Sequence, residues 1–288
     1  MDGGADTAKW PCDLANSFKK HDVPGISTLT WATIGSATLS PSEKEIYFNG
    51  AEDGGISKLY IATRNDPGDE FTGIREVPNI NAPPLSDWNP GLSPDRFKLV
   101  FSRQNVLDGG KPDLTSSELF IVSRPNATQN FANVRALDNV NSARADQHPF
   151  ISADGGELWF SSYRLDQNLP HLFRAIASGE DFVDAQLVES PNETSFRQEA
   201  PVLSADGKSL FYSGNGNGAL DENDIWEAYR DTENGPFHVI GRVVELSAGG
   251  GSGKRDYPSW ISPDGCRLYA HTTNAAGKET IMVGVRSP

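Results

Sequence analysis

The chain has 288 residues, and its 25 Lys and Arg against 39 Asp and Glu leave a formal charge of −14. That balance excludes a nucleic-acid partner, because binding a phosphate backbone needs clustered cations that release its counterions. With 28 Gly, 19 Pro and 37 % hydrophobic residues, the composition is that of a turn-rich β protein and excludes long helices. No apolar run is long enough to span a bilayer, and the polar start MDGGADTAKW lacks the charged-then-apolar pattern of a targeting segment.

In chain order, residues 1–17 read as an N-terminal extension containing Cys12. FKKHDVPGIST from Phe18 then has the Phe, Val and Ile spacing of an outer strand. A hairpin signature follows five times: LSPSEKEIYF from Leu39, LSPDRFKLVF from Leu92, ISADGGELWF from Ile151, LSADGKSLFY from Leu203 and ISPDGCRLYA from Ile261. Its serines stand at 40, 93, 152, 204 and 262, so the intervals are 53, 59, 52 and 58 residues, the scale of one four-stranded propeller blade. Leu92, Ile151, Leu203 and Ile261 end the first strand, and the following Ser-Pro/Ala-Asp-Gly turn supplies the positive φ of a tight hairpin. The second strand alternates, as in Ile46/Phe48, Leu99/Phe101, Leu158/Phe160 and Leu210/Tyr212, which predicts one face buried between blades.

A third strand is predicted from Lys58, Glu118, His171, Asp224 and Thr280, and a fourth from Phe71, Phe131, Phe182 and Phe237. The last copy has no fourth strand after it. Phe18–Thr28 supplies one, so the expected fold is all-β: a single five-bladed propeller over 18–288, four antiparallel strands per blade, closed by the N-terminal strand. A monomer is expected. Closure leaves only short sheet edges.

Cys12 precedes the closing strand and Cys266 follows the Asp264-Gly265 turn, which puts both on one loop face. A bridge would close about 250 residues and implies an oxidising compartment; two free thiols are the alternative.

The SPDG-type hairpin followed by an L-x-F-x-S strand resembles the TolB-like, WD40-like (PD40) propeller repeat of bacterial envelope proteins over all five blades. The resemblance implies a non-catalytic partner-binding propeller, or a gating domain beside a peptidase; this chain has no G-x-S-x-G elbow. With the cysteine pair it implies a periplasmic or extracellular location, Met1 standing where an export signal was removed. Members often have six or seven blades, so five is a departure.

Propellers bind at the channel mouth formed by the fourth-to-first and second-to-third strand connections. The first strands of blades two to five begin around Asp87, Asp146, Glu199 and Asp256, while Trp88, Arg103, Tyr163, Arg164 and Tyr257 share the face. The repeated aspartates fit loop scaffolding. Departures from repetition mark function, because a ligand is not five-fold symmetric. His271 takes the slot of Ser102, Ser161 and Ser213, His148 takes that of Asn89, and Glu199 is read in place of Asp.

The residues support three functional readings. One is a binding propeller for a glycan, peptide or protein, with Trp88, Arg103, His148, Tyr163, Arg164, Glu199, Tyr257 and His271 contacting the ligand. The second is a glycoside hydrolase using two of Asp87, Asp146, Glu199 and Asp256. The third is a metal-assisted hydrolase or lyase with a divalent ion on His148, His271 and Glu199. GNGNGALDEND from Gly214 has the composition of a calcium loop without EF-hand register. AGGGSGKR from Ala248 lacks the first Gly, the Ser/Thr and the helix of a phosphate loop. Asn126-Ala127-Thr128 and Asn192-Glu193-Thr194 match the glycosylation sequon.

Overall fold

A computed structural model describes residues 12, 16–53, 55–107, 111–191, 196–216, 223–247, 255–273 and 278–287. Five four-stranded antiparallel sheets stand in a ring. Blade one comprises Thr33–Leu39, Glu45–Ala51, Lys58–Thr63 and Thr72–Glu76. Blade two comprises Ser86–Leu92, Lys98–Gln104, Glu118–Ser123 and Ala132–Ala136. Blade three runs through Asp146–Ile151, Glu157–Ser162, His171–Ser178 and Asp181–Leu187. Blade four runs through Gln198–Leu203, Ser209–Gly214, Asp224–Tyr229 and His238–Arg242. Blade five has Tyr257–Ile261, Arg267–Thr273 and Glu279–Val285, and its outer strand is Lys19–Asp22, with Lys19 opposite Val285 and Asp22 opposite Met282. The N-terminal strand thus completes the last blade. Most of the extension, the Asn192 sequon, the centre of the 214–224 segment and the 248–254 glycine run lie outside the described residues.

Side-chain chemistry explains why the repeat is written as it is. The turn serines Ser40, Ser93, Ser152, Ser204 and Ser262 accept the backbone N–H five residues on, at 2.8–3.1 Å. The last four donate to the turn aspartates Asp95, Asp154, Asp206 and Asp264, whose Oδ1 takes the N–H two residues further. This is Asx and Ser-turn chemistry closing a hairpin. The fourth turn residue has positive φ in all five blades: Gly155, Gly207 and Gly265, but also Glu43 (55°) and Arg96 (66°).

The phenylalanine that opens the outer strand is likewise explained in four of the five blades. Arg64, Arg124, Arg230 and Arg286 lie with their guanidinium carbons 4.0–4.5 Å from the ring centroids of Phe71, Phe131, Phe237 and Phe18. The first three of these arginines also donate Nε to the carbonyl of the positive-φ turn residue, at 2.7 Å. Phe18 joins this pattern from the far end of the sequence, which confirms it as the fifth outer-strand phenylalanine.

One expectation needs correction. The second strands are buried on both faces: Tyr47, Val100, Trp159 and Phe211 are as enclosed as the alternating Phe48, Phe101, Phe160 and Tyr212. Each sheet is packed between two neighbours, so neither face meets water. Cys12 and Cys266 form the disulfide, with Cα atoms 5.4 Å apart.

Candidate functional site

The first strands line the channel, and their entry residues tie the ring together. The N–H groups of Asp87, Asp146, Gln198 and Asp256 donate to the carbonyls of Ser57, Ser117, Pro170 and Asn223 of the preceding blades, at 2.9–3.0 Å. Glu199 therefore does not stand in the aspartate slot; Gln198 does, and Glu199 comes one residue later, paired with Ser213. Because side chains alternate along a strand, that one-residue difference turns Glu199 to the channel beside the equivalents Trp88, Gln147 and Tyr257.

The aspartate slot faces the other way. Asp87 accepts from Arg103 Nε (2.7 Å) and Nη2 (3.1 Å), and Asp146 accepts from Arg164 Nη2 (2.9 Å) and the Ser142 N–H (2.6 Å). The two arginines also lie over Phe101 and Phe120, and over Phe160 and Phe173. Burial holds the Asp87 carboxyl above its usual range despite Arg103. Asp87, Asp146, Asp256, Arg103 and Arg164 do not line the mouth cavity; Asp87 with Arg103 and Asp146 with Arg164 form pairs inside the blades.

After the channel-facing residue the strand bulges. Asn89, His148 and Ala200 have φ of 50–54°, each is followed by proline, and the register breaks at these points. A bulge re-aims neighbouring side chains and leaves an extra N–H to be satisfied. Here the preceding blade supplies the acceptor: Asn49 Oδ1 for Asn89, Ser102 Oγ for His148 and Ser161 Oγ for Ala200, at 2.9–3.2 Å. Ser213 Oγ donates to the Asp256 carbonyl at the next interface. These polar residues stitch four of five blade junctions. The fifth has His271, whose ring instead stacks on Tyr257 (centroids 6.1 Å apart, planes 3° apart), while Tyr257 stacks on His148 (5.1 Å, 19°).

The resulting cavity measures about 730 Å³ and contains Trp88, His148, Tyr163, Glu199, Tyr257 and His271 in its lining. The sequence reading of those six as mouth residues is matched by their placement. Gln147, Arg197 and Arg255 stand in the same strand connections but were not among the site candidates, and Arg144 in the lining and Asn223 behind it were missed. The overlooked signal is positional: Arg144, Arg197 and Arg255 all stand one or two residues before the aspartate slot.

Glu199 is almost fully buried and accepts from Asn223 Nδ2 (2.7 Å) and Arg197 Nη1 (3.3 Å) through Oε1. Its Oε2 lies 3.9 Å from His148 Nδ1, which has no hydrogen-bond partner. Arg197 Nη1 also donates to the Tyr163 hydroxyl at 3.1 Å. Burial pushes the Tyr163 phenol up to about 12 and raises that of Tyr257 further, Glu199 adding to both. Burial lowers His148 against the pull of Glu199, and takes His271 down to about 4. At neutral pH the two imidazoles are therefore neutral and the two phenols protonated, set beside guanidinium groups and the Glu199 side chain. Among the described residues no three His, Cys, Asp or Glu side chains are grouped to hold a metal ion, so the proposed set of His148, His271 and Glu199 does not form a ligand cluster.

No family model matches the sequence, and no curated protein does. Solved structures match in fold. TolB from Acinetobacter baumannii superposes with a TM-score of 0.51 at 15 % identity over 88 % of this chain; the chain spans about half, 55 %, of that protein. A thermostable family-43 glycoside hydrolase gives 0.57 at 15 % identity, covering 92 % of this chain and 91 % of the other. An α-L-arabinofuranosidase from Podospora anserina in complex with cellotriose gives 0.58 at 12 % identity, covering 95 % and 98 %. At these identities the likeness is one of architecture.

Proposed function

We propose that this propeller binds a glycan at the channel mouth without cleaving it. The observation carrying this reading is the disposition of the carboxylates. Asp87 and Asp146 are engaged by Arg103 and Arg164 away from the cavity, leaving Glu199 as the one carboxylate lining it among the described residues. A hydrolytic pair needs a second acid at ~5–9.5 Å from the first, and the described lining does not offer one. What it offers suits recognition: Trp88 as a flat face for a sugar ring, with Asn89, Gln147 and the two imidazoles as hydrogen-bonding groups. The cavity falls within the roughly 300–1,000 Å³ range of ligand sites. A glycan also fits better than a folded protein partner, since the polar groups converge in a concavity.

The disulfide supports an oxidising compartment, periplasmic or extracellular. No helix among the described residues is long and apolar enough to cross a membrane.

Titration calorimetry of oligosaccharides against the protein and its Trp88→Ala and Glu199→Gln variants tests the reading. Expected is saturable binding weakened at least roughly tenfold by each change, about 1.4 kcal/mol, with the sugar recovered intact. Release of new reducing ends by the parent protein, abolished in Glu199→Gln, overturns it in favour of hydrolysis.

A further inference from the structure

Among the described residues, the lining of the mouth cavity is richer in cations than the molecule as a whole. The whole chain carries −14, yet among the described residues the charged side chains lining the cavity are Arg144, Arg255 and Glu199. Glu199 is neutralised within the wall by Arg197. Neither Arg144 nor Arg255 has an ion-pair partner among the described residues, and both are exposed. Arg255 engages the Tyr257 hydroxyl, the phenol whose ring lies between the two imidazoles. A guanidinium held by a neutral phenol keeps its full charge and has N–H groups left for an anion, because five donors cannot be spent on one oxygen. Arg64, Arg103, Arg164 and Arg286, by contrast, are each tied to a buried or partly buried carboxylate.

We infer that the glycan bound here is an acidic one, its sugar carboxylate seated against Arg255 and Arg144. This rests on the glycan reading above and narrows it to uronate- or sialate-bearing saccharides. A carboxylate matches the planar fork of arginine in a two-point contact that neutral sugars cannot make. The cleft geometry concentrates this local positive field although the molecule as a whole is negative. Glu199 is enclosed in the wall, where Oε1 accepts from Arg197 and Asn223 and Oε2 lies 3.9 Å from His148 Nδ1, so its charge is met mainly by the wall.

The test uses calorimetry with four probes: trigalacturonate, its fully methyl-esterified form, 3′-sialyllactose and cellotriose. Tight binding of trigalacturonate or sialyllactose identifies which acidic sugar is taken. For trigalacturonate, esterification is expected to weaken binding at least tenfold, and Arg255→Gln to weaken the acid form similarly while leaving the ester unchanged; Arg255→Lys restores part of the loss. If sialyllactose alone binds, the same Arg255→Gln loss is required. Because Arg255 is exposed, its variants fold, and an unchanged melting temperature verifies it. Binding of cellotriose or the ester as tightly as the acids overturns the acidic-sugar inference and leaves the glycan reading standing. Failure of all four probes to bind overturns both.

Discussion

The two ends of the central channel are built on the same five first strands, yet they differ in kind. At the hairpin end a cavity of about 400 Å³ is walled by Leu39, Leu92, Ile151, Leu203 and Ile261 with their adjoining Pro or Ala residues, one contribution per blade. At the other end the wall changes from blade to blade: Gly35, Trp88, Gln147, Glu199 and Tyr257 occupy equivalent places. Between them Pro90, Pro149, Pro201 and Pro258 line a constriction of about 10 Å³. The repeated end holds the ring together, whereas the varied end offers a ligand an asymmetric set of groups. Its asymmetry has a structural origin at the fifth junction, where His271 gives up the interblade stitch made by Asn49, Ser102, Ser161 and Ser213 and stacks on Tyr257 instead.

This contrast predicts that changes at the hairpin end reduce stability and spare binding. The largest effect belongs to Glu43, buried at the junction of blades one and five, where it accepts from Arg64, Arg267 and the Tyr269 hydroxyl. Glu43→Ala leaves two guanidinium groups without their counter-charge and should cost about 3–5 kcal/mol, read by urea unfolding. An unchanged midpoint would remove the claim that this cluster locks the ring.

Next comes the seam disulfide. Cys12→Ser with Cys266→Ser frees a loop spanning 254 residues and is expected to lower stability by about 2–5 kcal/mol. Sugar affinity measured below the unfolding transition should not move; a loss there would tie the seam to the mouth.

At the mouth, His271 provides a pH effect of defined sign. Its folded value lies near 4 against an ordinary 6.5, so the unfolded chain binds more protons between these limits. The contribution is fully present above about pH 6.5 and falls by about 1.4 kcal/mol per pH unit down to pH 4. His148, also lowered, acts in the same direction. His271→Gln should flatten the stability profile in that window, and a slope equal to that of the parent would refute the assignment.

The smallest effect is expected on the outer rim, where Arg135 of blade two meets Asp181 of blade three at 3.2 Å with both partners solvated. Arg135→Ala should change stability by no more than about 1 kcal/mol and leave binding untouched, which thermal unfolding and calorimetry would show.

Much of the fold was legible because each blade solves the same problem with the same residues. The turn serine, the turn aspartate and the outer-strand phenylalanine recur with partners that local geometry dictates, and Phe18 could be assigned across the chain ends for that reason. The site was harder. Trp88, His148, Tyr163, Tyr257 and His271 stood out as aromatic or imidazole groups at the mouth, but Glu199 was misplaced by one slot. Its blade has Gln198 where an aspartate was expected, and carboxylates look alike in sequence even when strand alternation points them to opposite faces. Arg103 and Arg164 looked available because their charge is visible in sequence and their buried partners Asp87 and Asp146 are not.

By itself, then, the sequence determined the blade, the number of blades, the closure by the N-terminal strand and the pairing face of the two cysteines, all consequences of local turn chemistry and period. Only the tertiary structure decided which charges are spent and which remain. That depends on how each strand is placed in the ring: burial couples Asp87 to Arg103 on the neighbouring strand of its own blade and Glu199 to Arg197 two residues before it, and leaves Arg144 and Arg255 facing the cavity. A five-fold motif specifies a ring; the departures acquire chemical meaning once the ring brings them to one axis.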